Sequence, residues 1–211
     1  MGTKERRQRE RTETRQLILD AARDMFVRNG YEATTMRSIA DRIEYTPTAI
    51  YHHFRNKEAL LSELCASDFR ALAQAFHQIE RVEDPIERLG RIGEAYVSFA
   101  VEHPMQYMFM FMTRRPALSR AEIGLNRGDP SEDAYAFLRD VCAEAIASGL
   151  LRPEYEDPDE VAQMLWAGVH GIVAIRIAKE HDEWIEFRDT KQTALRLRQA
   201  LLRGLTKRSD A

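Results

Sequence analysis

From Thr46 to His53 the chain reads Thr-Pro-Thr-Ala-Ile-Tyr-His-His. The candidates for exposure in this stretch are Thr46, Pro47, Thr48, Tyr51, His52 and His53, small hydroxyls and flat polar rings with no carboxylate among them. Groups of this kind hydrogen-bond phosphate oxygens and base edges, and small residues at a helix start let the backbone approach a duplex closely. Lys57, with the free amides at the start of the helix that follows, offers a second place for an anion. Thr35, at the start of an earlier short helix, adds a hydroxyl that could reach the same strand. Catalysis has no comparable set. His52 and His53 are adjacent, so on a helix they point about 100° apart and cannot chelate one ion. There is no His-x-x-x-His, no Cys-x-x-Cys and no glycine-rich phosphate loop, and Glu102-His103 has no third member. No catalytic residue, metal or cofactor is therefore expected.

A second stretch has chemistry of another kind. Met105, Tyr107, Met108, Phe109, Met110, Phe111 and Met112 form a soft, polarizable surface of the sort that adapts to a largely apolar small molecule. The candidate ligand-binding residues are Phe99, His103, Tyr107, Met108, Phe111, Met112, Tyr135, Trp166 and His170. Taken singly each also fits a plain core role, and His170 alone reads as a hydrogen-bonded core histidine.

The elements that must position these groups are helical throughout. Leu17, Ile18, Ala21, Ala22, Met25 and Phe26 place one apolar stripe on a helix from about Glu13 to Arg28, stopped by Asn29-Gly30. Thr34-Thr35 offers a cap before a short helix, Met36 to Arg42, and Thr46-Pro47 opens another to about His53. Further helices are expected from Lys57 to about residue 80, from Asp84-Pro85 to His103, from Met105 to Met112, from a Ser131 cap to Gly149, over Asp159 to Ala178, and from Thr190 to Leu205. Thr113 to Asp129 reads as loop with a helical turn near Ala121. No period-two pattern lasts beyond four residues, so the expected fold class is all-α.

The 211 residues, 44% apolar and 31% charged, suffice for a packed core and are too apolar for a disordered chain. The longest unbroken apolar run, Tyr107 to Met112, is far short of the roughly 20 residues a membrane helix needs, so no membrane role is expected. The charged N-terminus has no apolar stretch behind it and does not read as a secretory signal. Cys65 and Cys142 read as reduced, buried thiols of a cytoplasmic protein. The net charge of −3 hides an asymmetry: residues 1–57 hold twelve Lys/Arg against eight Asp/Glu, and the rest nineteen against twenty-six. A mildly basic first quarter on an acidic body suits a polyanion at that end.

Two short helices joined by a tight turn behind a longer amphipathic one make a helix-turn-helix signature. The run ATTMRSIADRIEYTPTAIYHHFRNKEALL, Ala33 to Leu61, resembles the N-terminal domain of TetR-family transcriptional repressors. The matching positions are Thr34-Thr35, Ile39-Ala40, Ile50-Tyr51-His52-His53-Phe54 and Lys57-Glu58-Ala59-Leu60. Two departures stand out. Glu44-Tyr45 replaces the family's glycine and aliphatic residue in the turn, where a Glu at positive φ costs on the order of 1 kcal/mol. Thr48-Ala49 replaces Gly-Thr, so the base contacts must differ. The resemblance implies phosphate contacts from Thr35, Tyr51, His53 and Lys57, with Arg37, Thr46, Pro47 and Thr48 facing bases. The guanidinium fork of Arg37 matches the O6/N7 edge of guanine.

Trp166-Ala-Gly-Val-His170-Gly171, with Ala95 to Phe111, resembles the TetR subclass named for its tryptophan–histidine–glycine motif. The expected organisation is a flexible basic arm (1–12), a helix-turn-helix DNA-binding domain (13–56) and an effector-binding and dimerisation domain (57–211). The last two long helices are apolar on more than one face and need cover on two sides. The resemblance implies a homodimer formed through them, with recognition helices ~34–36 Å apart on a palindromic double-stranded DNA operator. The implied function is a transcriptional repressor released by a small hydrophobic effector. The rival readings are a helical protein-interaction module or an enzyme without DNA binding.

Overall fold

The computed structural model describes residues 3–77, 79, 83–118 and 120–207, with no side-chain description at 120 and 121. Its elements are α1 (Thr3–Asn29), α2 (Met36–Arg42), α3 (Pro47–Tyr51), α4 (Lys57–His77), α5 (Pro85–Glu102), α6 (Pro104–Phe111), α7 (Arg120–Ile123), α8 (Ala134–Ala147), α9 (Pro158–Ala178) and α10 (Thr190–Leu205). The described residues contain no strand, only an isolated bridge between Leu151 and Thr206. The all-α expectation is met.

The chain divides into two compact units. The first comprises 1–68 and 105–125, so its boundary falls inside α4 and it takes in most of α6. Ile18, Ala22 and Phe26 of α1, Ile39 of α2, Ile50 of α3, Leu60, Leu61 and Leu64 of α4, and Tyr107 and Phe109 of α6 are fully buried in it. Phe26 stacks on Phe109 with ring centroids 6.2 Å apart, and tilts against Tyr31 at 5.3 Å. One charge pair lies inside this apolar set. Arg23 Nε donates to Asp68 Oδ2 at 2.9 Å and its Nη2 donates to Oδ1 at 2.7 Å, and the Asp68 carboxylate has no exposed surface. Gln106 of α6 donates to the same Oδ1 at 3.0 Å. Burial acts against the Arg23 charge, but the bonds from Asp68 and then Asp20 outweigh it and raise the pKa.

The first helix begins ten residues before the expected Glu13, running through the segment read as a flexible arm. That segment is rich in Lys, Arg, Glu and Gln, all good helix formers, and an Arg6–Glu10 pair at 3.5 Å spans one turn of it. It lacks an apolar stripe, which is why a periodicity reading stops at Glu13.

The second unit comprises 69–104 and 126–211. Asp84 caps α5 with Pro85 in the first turn, and Asp157 caps α9 with Pro158 likewise. The α8 cap is Asp133, which accepts from the amides of Tyr135 and Ala136, and not the expected Ser131. Asp129 holds the Ser131 amide at 2.9 Å and keeps that residue in the preceding turn. Helices α5, α8, α9 and α10 pack against one another. A Cβ on Gly168 would come within 2.5 Å of Leu201 Cδ1, so the bare glycine permits the close approach of α9 and α10. A Cβ on Gly171 would meet no atom of this chain within 4 Å. By length and composition α9 is apolar enough to cross a membrane, yet only 28% of its most apolar window is buried within the chain. Met164 and Ile175 stand exposed on it. Cys65 and Cys142 are both buried and free, their thiols pushed up by burial to about 11 and about 12.

Candidate nucleic-acid interface

The turn between α2 and α3 is set by local chemistry at both ends. Thr35 Oγ1 accepts from the Ser38 amide at 3.0 Å while Ser38 Oγ accepts from the Thr35 amide at 2.9 Å, a reciprocal cap. Thr34, fully buried, donates its hydroxyl to the Gly30 carbonyl at 2.9 Å. After α2 the chain turns through Glu44 at φ 59°, the positive angle expected where the family has glycine. The Tyr45 amide returns to the Ala40 carbonyl at 2.9 Å. Thr46 Oγ1 then accepts from the Ala49 amide at 3.2 Å and Pro47 fills the first turn of α3.

These constraints sort the side chains. Ile50 and Phe54 are buried, whereas Thr46, Thr48, Tyr51 and His52 are exposed, and Pro47 and His53 are half-buried. Arg37 and Thr35 are exposed on α2 and at its start. The α3 helix ends at Tyr51, two residues before the expected His53. Tyr45, absent from the expected set, is also exposed beside the turn. A large aromatic placed directly after the turn, where no core stripe needs it, was the available signal.

Two side chains fasten this surface. Arg15 of α1 donates Nη1 to the His53 carbonyl at 2.8 Å, lies 4.2 Å from the Phe54 ring centroid, and grips Glu63 of α4 through both carboxylate oxygens. Lys57 donates Nζ to the carbonyls of Tyr31 and Thr34, each at 3.0 Å, and lies 4.0 Å from the centroid of the Tyr31 ring. Its ammonium therefore ties the loop before α2 to α4. His53 Nδ1 is buried without a hydrogen-bond partner, and the ring's pKa is lowered, first by burial and then by Arg11, Arg15 and His52. The neutral form is thus favoured amid a cluster of cations.

The expected ligand-binding residues separate between the units. Tyr107 and Phe111, with ring centroids 5.2 Å apart, belong to the first unit with Met108 and Met112. Tyr107 is fully buried, whereas Met112 is exposed. The second unit gathers Tyr135, Trp166 and His170 around Tyr96, and separately pairs Phe99 with His103 at 5.2 Å. The Tyr96 hydroxyl accepts from Trp166 Nε1 at 3.1 Å and bonds His170 Nδ1 at 2.9 Å. Burial lowers the His170 pKa, so its ring is favoured neutral. Tyr135 donates its hydroxyl to Asp159 at 2.8 Å, and Arg139 donates to the other oxygen at 3.0 Å. Tyr96 was missing from the expected set because its place on the inward stripe of α5 hides a hydroxyl inside an apolar pattern. A further cavity of about 290 Å³ lies between α5 and α10 and involves none of the expected residues.

Comparison with known proteins agrees with this geometry. The family model described as bacterial regulatory proteins, tetR family, matches residues 18–64, and the one described as tetracyclin repressor-like, C-terminal domain, matches 89–201. The chain is 38% identical over 96 residues to the HTH-type transcriptional regulator UidR of Escherichia coli (strain K12), covering 45% of this chain and 43% of UidR. It is 28% identical over 141 residues to the HTH-type transcriptional repressor KstR2 of Mycobacterium tuberculosis (strain ATCC 25618 / H37Rv), covering 66% and 70%. The solved structure of the ketosteroid transcriptional regulator KstR2 of Mycobacterium tuberculosis has a TM-score of 0.68 at 22% identity, over 92% of this chain and 96% of that one. A TetR family transcription regulator from Marinobacter aquaeolei VT8 reaches 0.75 at 18% identity, over 96% and 100%, a likeness of fold. A helix-turn-helix of this construction, followed by a helical region that the C-terminal model spans for more than half of the chain, leaves one assignment: the chain belongs to the TetR family of bacterial regulatory proteins.

Proposed function

We propose that the chain is a cytoplasmic, homodimeric, DNA-binding transcriptional regulator, a repressor that leaves a palindromic operator when a small, largely apolar effector binds. The observation that carries this reading is the exposure of Thr46, Thr48, Tyr51 and His52 on a segment whose opposite side, Ile50 and Phe54, is buried. The turn and both caps present that face outward, as major-groove reading requires. Arg37, Thr46, Pro47 and Thr48 face bases. Thr35, Tyr51 and the partly covered His53 lie along phosphates, and Lys57 contributes by holding the loop that carries Thr35. The basic stretch 3–12 adds cations to the same unit, and residues 13–56 form the reading module.

The remainder of the chain serves effector binding and dimerisation. The apolar surface that α9 leaves uncovered, including Met164 and Ile175, is the face for a second copy, with α10 beside it. Two copies then read half-sites about 34–36 Å apart. Effector binding favours a state of the dimer with another spacing, and the bound population falls. An apolar compound with one or two polar groups suits Tyr107, Met108, Phe111 and Met112 within the first unit, and the Trp166 and His170 set within the second is a separate candidate.

Binding to the DNA upstream of the protein's own coding region, followed by fluorescence anisotropy over a salt series, tests the reading. Affinity is expected to fall steeply with salt. Tyr51→Ala is expected to weaken binding to all duplexes, whereas Arg37→Ala should also relax sequence preference. Retention of full affinity by a variant carrying both Tyr51→Ala and Arg37→Ala would remove the α2–α3 pair as the reading element.

A further inference from the structure

The segment between α9 and α10 carries Trp184, 96% exposed, and Ile185, 44% exposed. A tryptophan left in water is unusual, and tryptophan is the residue that most often anchors an interface. The segment is held in shape from within. Lys179 Nζ donates to Asp182 Oδ2 at 2.9 Å, and Asp182 Oδ1 accepts from the Trp184 amide at 2.9 Å. On the other side the Arg176 guanidinium lies 5.3 Å from the Phe187 ring centroid. The base of the segment is fastened while its tip projects, so much of the ordering that binding demands is already in place.

We propose that Trp184 and Ile185 dock in the groove between α5 and α10 of a second copy of this chain. The proposal rests on the dimer reading above and names the contact that locks it. Charge selects the occupant: residues 180–189 hold Glu180, Asp182, Glu183, Glu186 and Asp189 against Arg188 alone, whereas 190–207 hold Lys191, Arg196, Arg198, Arg203 and Lys207 and no acid. Like copies therefore repel through matching segments and attract through crossed ones. The groove supplies the space, a cavity of about 290 Å³ with Val97, Ala194 and Leu195 on its apolar side and Ser98, Gln192, Lys191 and Arg198 as polar groups, the two cations outnumbering the single acid Glu94.

Of the groove's two cations, Lys191 is loosely engaged and Arg198 is held. Lys191 pairs with Glu102 at 3.3 Å with both side chains half in water, whereas Arg198 is mostly buried, its Nη1 donating to the Gly90 carbonyl and lying 3.8 Å from Glu94. An exposed pair such as Lys191–Glu102 exchanges readily for new partners. Arg198 Nε is buried with no acceptor, and Glu94 and Ser98 offer acceptors for an indole N–H. Ile175, 54% exposed on α9 shortly before the segment, extends the same apolar surface toward the copy that α9 needs.

Sedimentation of the full chain over a dilution series, for wild type, Trp184→Ala and Lys191→Glu, tests the proposal. Both positions are exposed, so both variants should keep the wild-type circular dichroism spectrum. Each is expected to raise the dimer dissociation constant about tenfold or more. Trp184 is one of two tryptophans, so subtracting the Trp184→Phe emission from that of wild type isolates its signal. That signal should shift to shorter wavelength and resist acrylamide at concentrations where the dimer forms. A wild-type dimer whose Trp184 stays quenchable, or which Trp184→Ala leaves unweakened, overturns the docking while the dimer stands. Loss of affinity in Trp184→Ala but not in Lys191→Glu overturns the groove as the site. A wild type that stays monomeric at every concentration overturns both readings.

Discussion

Two buried polar clusters, one in each unit, are built in opposite ways. In the first, a full ion pair, Arg23 and Asp68, sits among phenylalanine, tyrosine and leucine side chains, with Gln106 on the same carboxylate. In the second, the cluster around Tyr96 is neutral: Tyr96 joins Trp166 and His170 through one hydroxyl and burial favours the uncharged imidazole, while the buried Arg88 of the same unit pairs with the half-exposed Glu144. A buried charge pair tolerates little displacement, because a separated partner is left uncompensated in a poor solvent. Neutral groups lose far less when they part, so they can be remade around a guest. Under the proposed function, the contrast gives rigidity to the cluster behind α3 and adaptability to the Tyr96 cluster of the second unit.

The strongest way to break this comparison is Asp68→Ala, which leaves Arg23 with only the half-exposed Asp20 and should lower stability by about 3–5 kcal/mol in urea denaturation. A loss no larger than that of a neutral hydrogen bond would erase the distinction. Next, Arg37→Ala should reduce operator affinity by about 1–3 kcal/mol and flatten the preference at one base pair, read in competition binding. On the neutral side, Tyr96→Phe removes the bonds to Trp166 and His170 and should lower stability by only about 1–2 kcal/mol. Glu44→Gly should stabilise by roughly 1 kcal/mol, since glycine accepts the positive φ without strain.

The smallest expected effect is the response to pH. His53 and His170 both have folded pKa values below the ordinary imidazole value of about 6.5. The unfolded chain then binds more protons, so their contribution is present above about pH 6.5 and is lost as pH falls through the lowered folded values. Unfolding midpoints measured downward from pH 7.5 should decline, and His170→Gln should make that decline shallower.

Much of this was legible in residue order. The spans of α2, α9 and α10 follow from caps, prolines and apolar stripes that act within one or two turns, and the helix-turn-helix follows from the same local signals. The legible part of the interface is likewise local: Thr46, Pro47 and Thr48 are exposed because Ile50 and Phe54 are not. What was illegible depends on tertiary neighbours. Lys57 reads as a free cation at a helix start, yet its ammonium is taken by the carbonyls of Tyr31 and Thr34, more than twenty residues upstream. The Arg23–Asp68 pair spans forty-five positions and leaves no periodic trace. Nor does residue order say which of Phe99, His103, Tyr107 and Trp166 share a unit.

Arg15 carries the last consequence. Its single guanidinium joins the carbonyl at the end of the recognition segment, the ring of Phe54 and the carboxylate of Glu63. The recognition segment thus cannot swivel on its own axis without releasing α1 and α4 at once. Under the proposed function, control of operator binding would act by relocating this block as one piece.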